Sequence, residues 1–457
     1  MATTGVVGGS QLDVNGLVSQ LVAAERKPLD DQVARAASKV TTQISATSAL
    51  LGALSTFQGT LNGLKTTTAF SARTTASSDP TIVTASATTT AAPGRYDVEV
   101  VSLASAQQIS SGAFVAGADS VVGNGSLTVS LGAASFSVNV DGTNNTLAGI
   151  RNAINSATDN PGVTATIINA ADGAHLVLTS IKSGAASAIQ VAQTGTLSQL
   201  EYSTTNQANY RELRPAQDAS VIVAGYPATS ATNVIEGVIE GVSINLVSAE
   251  PGTTVGIDVL FDKTAAKEKI NAFVSAYNTL RGMLTRLGGY DAASKTAGPM
   301  LGDPLLSGID AEIRRTLSTP VEGAGETVQT LAAIGITTQK DGTLKVDATK
   351  LESALNTNFD AVSRLFGTAE TGVAAKLATQ IEARLADGAG IDLRNESLQR
   401  QQRDLAKKTA DIDTRMQILQ KTYLKQFTTL DTLLSTLSST SAFLTQQIES
   451  LSNLNSR

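Results

Sequence analysis

A chain of 457 residues has room for about three domains, yet only 16 % of it is charged and 4 % aromatic, with no Trp and no Cys. The missing cysteines exclude disulfides, thiolate nucleophiles and thiolate metal sites. The single histidine, His175, leaves a zinc site to be assembled from carboxylates and one imidazole, which disfavours it. A net charge of −6 supplies no basic footprint for nucleic acid.

Ala, Ser, Thr and Gly dominate instead, a composition associated with extracellular and filament-forming bacterial proteins. The first residues lack a basic stretch followed by an apolar one, so no cleavable secretory signal is expected. No apolar run reaches the length of about eighteen residues that a membrane span needs, so membrane insertion is not expected either.

In chain order, residues 1–16 are rich in Gly and Ser and are expected to be mobile on their own. A short amphipathic turn follows, carrying Leu17, Val18, Leu21 and Val22. Pro28 suits the first turn of a new helix, where its missing N–H costs nothing, and that helix is expected to run to about residue 64. Along it, Leu29, Val33, Ala36, Val40, Gln43, Thr47, Leu50, Leu54, Phe57, Leu61 and Leu64 step 4-3-4-3.

From residue 66 to 92 the composition shifts to Thr, Ser and Ala, and Pro93-Gly94 signals a turn. The stretch 95–100 alternates as a strand with Tyr96, Val98 and Val100 on one face. Residues 113–230 read as an independent β-rich block in the order strand, strand, helix, strand, strand, the helix carrying Leu147, Ile150 and Ile154. Strands resume at 219–223, 234–235, 242–246 and 255–261. Helical spacing returns over 265–287 with Ile270, Phe273, Tyr277, Leu280 and Leu284 on one face. A hairpin spans 334–346 with its turn at Gln339-Lys340-Asp341-Gly342. Asp347 then caps a helix, and the region 367–390 hinges the chain into a last helix from 391 to 457.

That last helix contains no Pro or Gly. Leu398, Leu405, Ile412 and Leu419 recur every seven residues, and Met416, Tyr423, Leu430, Leu437, Leu444 and Leu451 form a second series offset by four. A lone helix cannot bury such a seam, so a partner is required. The heptad helix at the other end of the chain is the natural one. The alternative is that both are core helices of one globular domain.

The fold class expected is therefore α+β and multidomain: an antiparallel terminal coiled-coil stalk, a helical body and two nested β-rich inserted head domains. The divisions expected are a stalk from 1–70 and 391–457, an inner β domain from 71–110 plus 230–264, an outer inserted domain at 111–229, and a helical body at 265–390. Paired carboxylates for catalysis are confined to Asp30-Asp31, Glu236 with Glu240, and Asp411 with Asp413. The first and last lie on outer helix faces, and no Gly-rich phosphate loop, serine elbow or metal motif accompanies them. His175 reads as a half-exposed strand residue. No enzymatic activity and no cofactor are expected.

The order of parts resembles the bacterial flagellar filament-cap (FliD) family. Leu17-Val18-Ser19-Gln20-Leu21 with Glu25-Arg26-Lys27-Pro28-Leu29 is similar to its N-terminal signature. Pro93-Gly94-Arg95-Tyr96-Asp97-Val98-Glu99-Val100 followed by Leu103-Ala104 is similar to a strand motif of the family, and 125–190 to a small repeat also inserted in flagellins and hook-junction proteins. Gly241-Val242-Ser243-Ile244-Asn245-Leu246, Pro251-Gly252-Thr253-Thr254-Val255, Gly302-Asp303-Pro304, Ile334-Gly335-Ile336 and Asp341-Gly342-Thr343-Leu344 continue the match in order. No single string is specific; their joint order is.

The resemblance implies a non-enzymatic filament cap at the growing flagellar tip. Such a cap is a ring-like homo-oligomer that promotes insertion and folding of flagellin and prevents its loss. It implies export through the flagellar type III apparatus, an extracellular location, and flagellin, hook–filament junction proteins and an export chaperone as partners. Stalk, oligomer and flagellin contacts would fall to Leu17, Leu21, Leu29, Val33, Val40, Leu50, Leu54, Phe57, Leu61, Leu398, Leu405, Ile412, Met416, Leu419, Tyr423, Phe427, Leu430 and Leu437. Phe443, Leu444, Ile448 and Leu451 would either receive the chaperone or cap the seam. Weak seam positions (Gln43, Thr47, Gln402, Thr409, Gln447) would keep the stalk from locking. The alternatives are another flagellar axial protein, hook-junction or flagellin-like, or a coiled-coil surface adhesin. The Pro93-Gly94-Arg95-Tyr96 and Asp341-Gly342-Thr343-Leu344 strings favour the cap.

Overall fold

The computed structural model describes residues 13–454, the side chains of 451–454 excepted. The stretch 1–12 and the Leu451 side chain lie outside the described residues. Asp13 caps the first helix, α1 (Val14–Asn62), by accepting from the Gly16 N–H at 2.8 Å. The chain then enters β1 (Arg73–Ser77), β2 (Val83–Ala87), β3 (Gly94–Ser102), β4 (Ala106–Ser111), β5 (Gly125–Leu131) and β6 (Ala134–Val140). After α2 (Leu147–Ser156) come β7 (Val163–Ala170), β8 (Gly173–Ser183), β9 (Ile189–Gln193), β10 (Tyr210–Arg214), β11 (Ala219–Val223) and β12 (Tyr226–Ser230). Next are β13 (Val234–Ile239), β14 (Val242–Leu246) and β15 (Thr254–Phe261). The chain returns to helix in α3 (Lys263–Gly288), passes the short β16 (Tyr290–Asp291) and β17 (Thr296–Ala297), and continues through α4 (Pro304–Ser318), β18 (Ile336–Thr338) and β19 (Leu344–Val346). It ends in α5 (Ala348–Thr357), α6 (Phe359–Gly367), α7 (Val373–Leu385) and α8 (Gly390–Leu454).

The chain divides into two compact units, 1–69 with 267–457, and 70–266. The fold is α+β: terminal helices paired antiparallel, a helical body, and β-rich parts inserted between them in sequence.

The β-rich unit holds two hydrophobic clusters. One lies between a five-stranded sheet ordered β1-β15-β3-β11-β12 and a three-stranded sheet ordered β13-β14-β2. Its central strand β3 alternates as its sequence requires, with Val98 and Val100 fully buried and β15 and β11 on its two edges. Ala224-Gly225 joins β11 to β12 in a two-residue turn with both φ positive, at 48° and 84°, the geometry that matches strand twist. The second cluster lies between a four-stranded sheet ordered β10-β4-β8-β7, a three-stranded sheet ordered β6-β5-β9, and α2. Leu147, Ile150 and Ile154 of α2 point into it.

Strand pairing divides the sequence differently from the boundaries expected at 111 and 229. β4 pairs with β8 and β10, whereas β11 pairs with β3, so β11 and β12 belong with the sheet of β3. Nothing local distinguishes an inner from an outer strand, because the choice is made by partners far away in the sequence.

In the other unit, Phe273 of α3 meets Phe57 of α1 at 5.9 Å and Phe366 of α6 edge-on at 5.6 Å. The β18–β19 hairpin is held to α3 by Tyr277, whose hydroxyl donates to the Gly342 carbonyl at 2.8 Å. Asn278 bonds both the N–H and the C=O of Leu344, at 2.7 and 2.8 Å.

Two expectations about local structure are corrected outright. The stretch 367–390 is not a bare hinge: it holds α7, whose Val373, Leu377 and Ile381 are buried, and α7 packs on α1. Pro28 does not open a helix; α1 runs without a break from Val14, and Pro28 lies inside it. The missing N–H leaves one carbonyl without its helical partner. The chain bridges the spot with two pairs four residues apart, Arg26–Asp30 at 2.7 Å and Lys27–Asp31 at 3.5 Å, and with packing against α8.

Candidate assembly surface

Arg26 reaches across to Asp413 at 2.6 Å and so ties α1 to α8. Further along, Leu29, Val33 and Ala36 line one groove with Leu405 and Ile412, and Val40 and Gln43 line the next with Arg394 and Gln401. As numbers rise on one helix they fall on the other, which makes the pair antiparallel. Within it Val40, Leu398 and Met416 are buried, while Leu29, Val33, Leu405, Ile412, Leu419, Tyr423 and Phe427 are half-buried. Gln402 and Thr409 are exposed and so do not sit in the seam. The helices meet along a line narrower than the full heptad face.

Leu17 and Leu21 are also exposed, and Val18 is buried in their place. The reason is register. Because α1 continues through Pro28, the seam that includes Leu29 runs back through Arg26 and Val22 and, by a second step of four that departs from the strict 4-3 alternation, to Val18, and Leu17 and Leu21 fall beside it. At the other end Leu50, Leu54, Phe57 and Leu61 are fully buried, but not against α8. α8 begins only at Gly390, so this end of α1 packs on α7 and on the Phe273–Tyr277 face of α3.

Counting twelve residues back along α1 from Arg26 and twelve forward along α8 from Asp413 places Val14 opposite Lys425. Beyond that point α8 continues to Leu454 with no α1 partner among the described residues, a length of about 43 Å at 1.5 Å per residue. The apolar side chains there face solvent: Leu430 is 43 % exposed, Leu433 and Leu437 57 %, Phe443 60 % and Ile448 66 %. Leu434 and Leu444 join them. Spacings of three, four and seven place most of these on one face, the pattern of a helix that expects a partner. Most Ser and Thr hydroxyls of this segment bond back to the carbonyl four residues earlier, as Thr432 does to Thr428 and Thr436 to Thr432, each at 2.8 Å.

The candidate chemical groups are occupied structurally. Asp30 and Asp413 are both bound by Arg26, and Glu236 accepts from the Ser243 hydroxyl at 3.2 Å. Among the described residues no group of three or more His, Asp or Glu is placed to hold a metal, and no helix is long and apolar enough to cross a membrane. His175 Nδ1 lies 2.7 Å from the Ser111 carbonyl oxygen and Nε2 3.1 Å from Asp172 Oδ1, both of them acceptors. The Ser111 hydroxyl is engaged as well, accepting from the Leu176 N–H and donating to the Gly112 carbonyl, so no nucleophile is available there.

Both imidazole nitrogens facing acceptors favour the charged ring, and the Ser111 carbonyl, then Asp172, raise the His175 pKa above its ordinary 6.5. The sign follows from linkage: the clamp contributes its full stability below the unfolded-state value and loses it as pH rises through the higher folded-state value. The stability advantage of the natural chain over His175→Asn should therefore shrink from pH 5.5 to pH 8.5. Denaturation curves across that range check it, and a constant difference would refute it.

Comparison with known proteins places the chain among flagellar proteins. Residues 10–107 match the flagellar hook-associated protein 2 N-terminus, 216–439 its C-terminus, and 126–182 the flagellin hook IN motif. The A-type flagellar hook-associated protein 2 of Pseudomonas aeruginosa is 33 % identical over 481 residues, covering 99 % of both chains, and the B-type protein is 32 % identical with 97 % of each covered. Flagellar hook-associated protein 2 of Escherichia coli K12 is 30 % identical over 99 % of this chain and 100 % of its own. The crystal structure of the D1-D2-D3 domains of the Escherichia coli flagellar cap protein FliD superposes with a TM-score of 0.58 at 29 % identity, covering 78 % of this chain and 99 % of that one. The chain belongs to the flagellar hook-associated protein 2 family, the FliD filament-cap proteins.

Proposed function

We propose that this chain is a filament-cap subunit that forms a ring-like homo-oligomer at the flagellar tip, where it promotes insertion and folding of exported flagellin and prevents its escape. Membership of the family supports the setting. The single structural observation that carries the mechanism is the α8 segment beyond Lys425, an apolar helix face with no partner among the described residues. In an assembly this leg would pack on flagellin, on a neighbouring copy or on the hook–filament junction proteins. The tolerance of Gln43 and Thr47 in the seam keeps the pair from packing as tightly as leucine would allow.

Before assembly the same face is an aggregation hazard, and Phe443, Leu444 and Ile448, with Leu451, are the segment an export chaperone would cover. Export without a cleavable signal and an extracellular location follow from this reading. So does the division into stalk, helical body, inner β domain and outer domain. Glu236, Asp411 and the other carboxylates serve as surface charges in it, and no catalysis is assigned.

The test uses cells that lack their own cap gene. The full chain should restore filaments and cut the flagellin lost to the medium, and a chain ending at Phe427 should do neither while still folding. If the full chain rescues only cells deficient in a junction protein, the subunit is a junction protein instead. If the shortened chain caps as well as the full one, the leg has no role in capping.

A further inference from the structure

β7 is the outer strand of the four-stranded sheet, and its sequence, Val163-Thr164-Ala165-Thr166-Ile167-Ile168-Asn169-Ala170, contains no charge and no proline. An edge of that composition is the kind that pairs with another chain, because its outward N–H and C=O groups form a ready template. The opposite edge of the same sheet is protected in a common way. β10 carries Arg211, Glu212 and Arg214, and its register with β4 is broken by a bulge between Glu212 and Arg214.

On β7 the protection is of another kind. Asn155, on the last turn of α2, donates from Nδ2 to the Ala165 carbonyl and accepts from the Ala165 N–H, both at 2.8 Å. Asn160, in the loop that follows, donates to the Val163 carbonyl at 2.7 Å and accepts from the Val163 N–H at 2.8 Å. Each amide therefore supplies the donor and acceptor that a neighbouring strand would supply, at two successive outward-facing residues. Asn160 also donates to the Ile154 carbonyl at 2.9 Å, which fixes the loop to the end of α2. Ile154 is fully buried in the core, so the residue beside it is held at the strand edge by the packing of its own helix.

We propose that Asn155 and Asn160 are edge plugs: they close β7 against pairing with the β7 of a second copy of this chain. Both lie in the segment that matches the flagellin hook IN motif. The same two-bond clasp recurs where Asn233 holds Ala104 and Asn278 holds Leu344, so the chain uses asparagine repeatedly as a substitute strand. A subunit that must assemble in one defined arrangement at high local concentration gains from a closed edge, because an open one would offer a competing, strand-to-strand polymer.

The test is the mass of the full chain by light scattering against concentration. Asn155→Ala with Asn160→Ala frees two backbone pairs on β7. Growth beyond the parent assembly should then begin at about tenfold lower concentration. Adding Thr166→Lys, a charge on the solvent face of the same strand, should reverse it. Asn155→Ala alone, which leaves the loop bonds of Asn160 in place, carries the test should the double variant fail to fold. Folded variants with the parent's mass curve would overturn the proposal. So would extra association that Thr166→Lys leaves unchanged, since that would be general loss of stability.

Discussion

Replacing Phe273 by Ala is expected to lower the unfolding free energy by about 3–5 kcal/mol, the range for removing a large aromatic side chain from a closed core. The ring is fully buried at the meeting of three helices, edge-on to Phe366 at 5.6 Å and tilted against Phe57 at 5.9 Å, and Phe57 in turn faces Tyr277 at 6.2 Å. Its loss removes apolar contact and leaves a cavity that the flanking rings, held by their own helices, can fill only in part. α1 joins the helical body at this point, so the base of the long helix should loosen with it. Urea denaturation of the full chain followed by circular dichroism measures the change. A loss of under about 1 kcal/mol would mean that the cluster collapses onto the gap and is not the anchor of α1.

Gln107→Leu is expected to cost about 3 kcal/mol, because it strands a buried donor. Gln107 is buried on β4, where Oε1 accepts from the Ile189 N–H at 2.6 Å. Its Nε2 donates to Glu212 at 2.7 Å and to the Tyr202 hydroxyl at 3.1 Å. One amide thus joins β9, β10 and the Tyr202 loop, and leucine of similar volume satisfies none of them. Hydrogen exchange should show lost protection at Ile189 and along β9 before elsewhere in its domain. Unchanged exchange there would show that water or a shift of Tyr202 replaces the amide.

Gln107 was not readable as important from its surroundings, Ser105-Ala106-Gln107-Gln108, where two glutamines adjoin and only pairing partners decide which one turns inward. Asn155 is similar: the spacing of Leu147, Ile150 and Ile154 reveals the helix, but the strand edge that Asn155 meets is created by folding. His175 was placed correctly on a strand, whereas its clamp needed the position of Ser111, far away in sequence.

The seam shows the same division. The 4-3 spacing in both terminal stretches is a local, periodic property, so the existence of two long helices and of an apolar line on each was legible. So was the fold class, because alternating strands and Gly-bounded turns are local too. Pro28 misled because the cost of a proline inside a helix is read locally, while the packing against α8 that offsets it is not. That α1 leaves α8 for α7 near Leu50, and that α8 outruns α1 beyond Lys425, depend on where each helix starts once both are docked.

By itself the sequence determined the two long terminal helices, α3 and a part of the strands, the apolar face of each, and the order of parts that marks the family, but not α7, which it read as a hinge, nor the helix α4 and the strands β4, β9 and β10. Only the tertiary structure decided which strands share a sheet, which register the two helices adopt, and which apolar residues are left without a partner among the described residues. Those choices rest on contacts between residues far apart in the chain, and no periodicity within a segment encodes them.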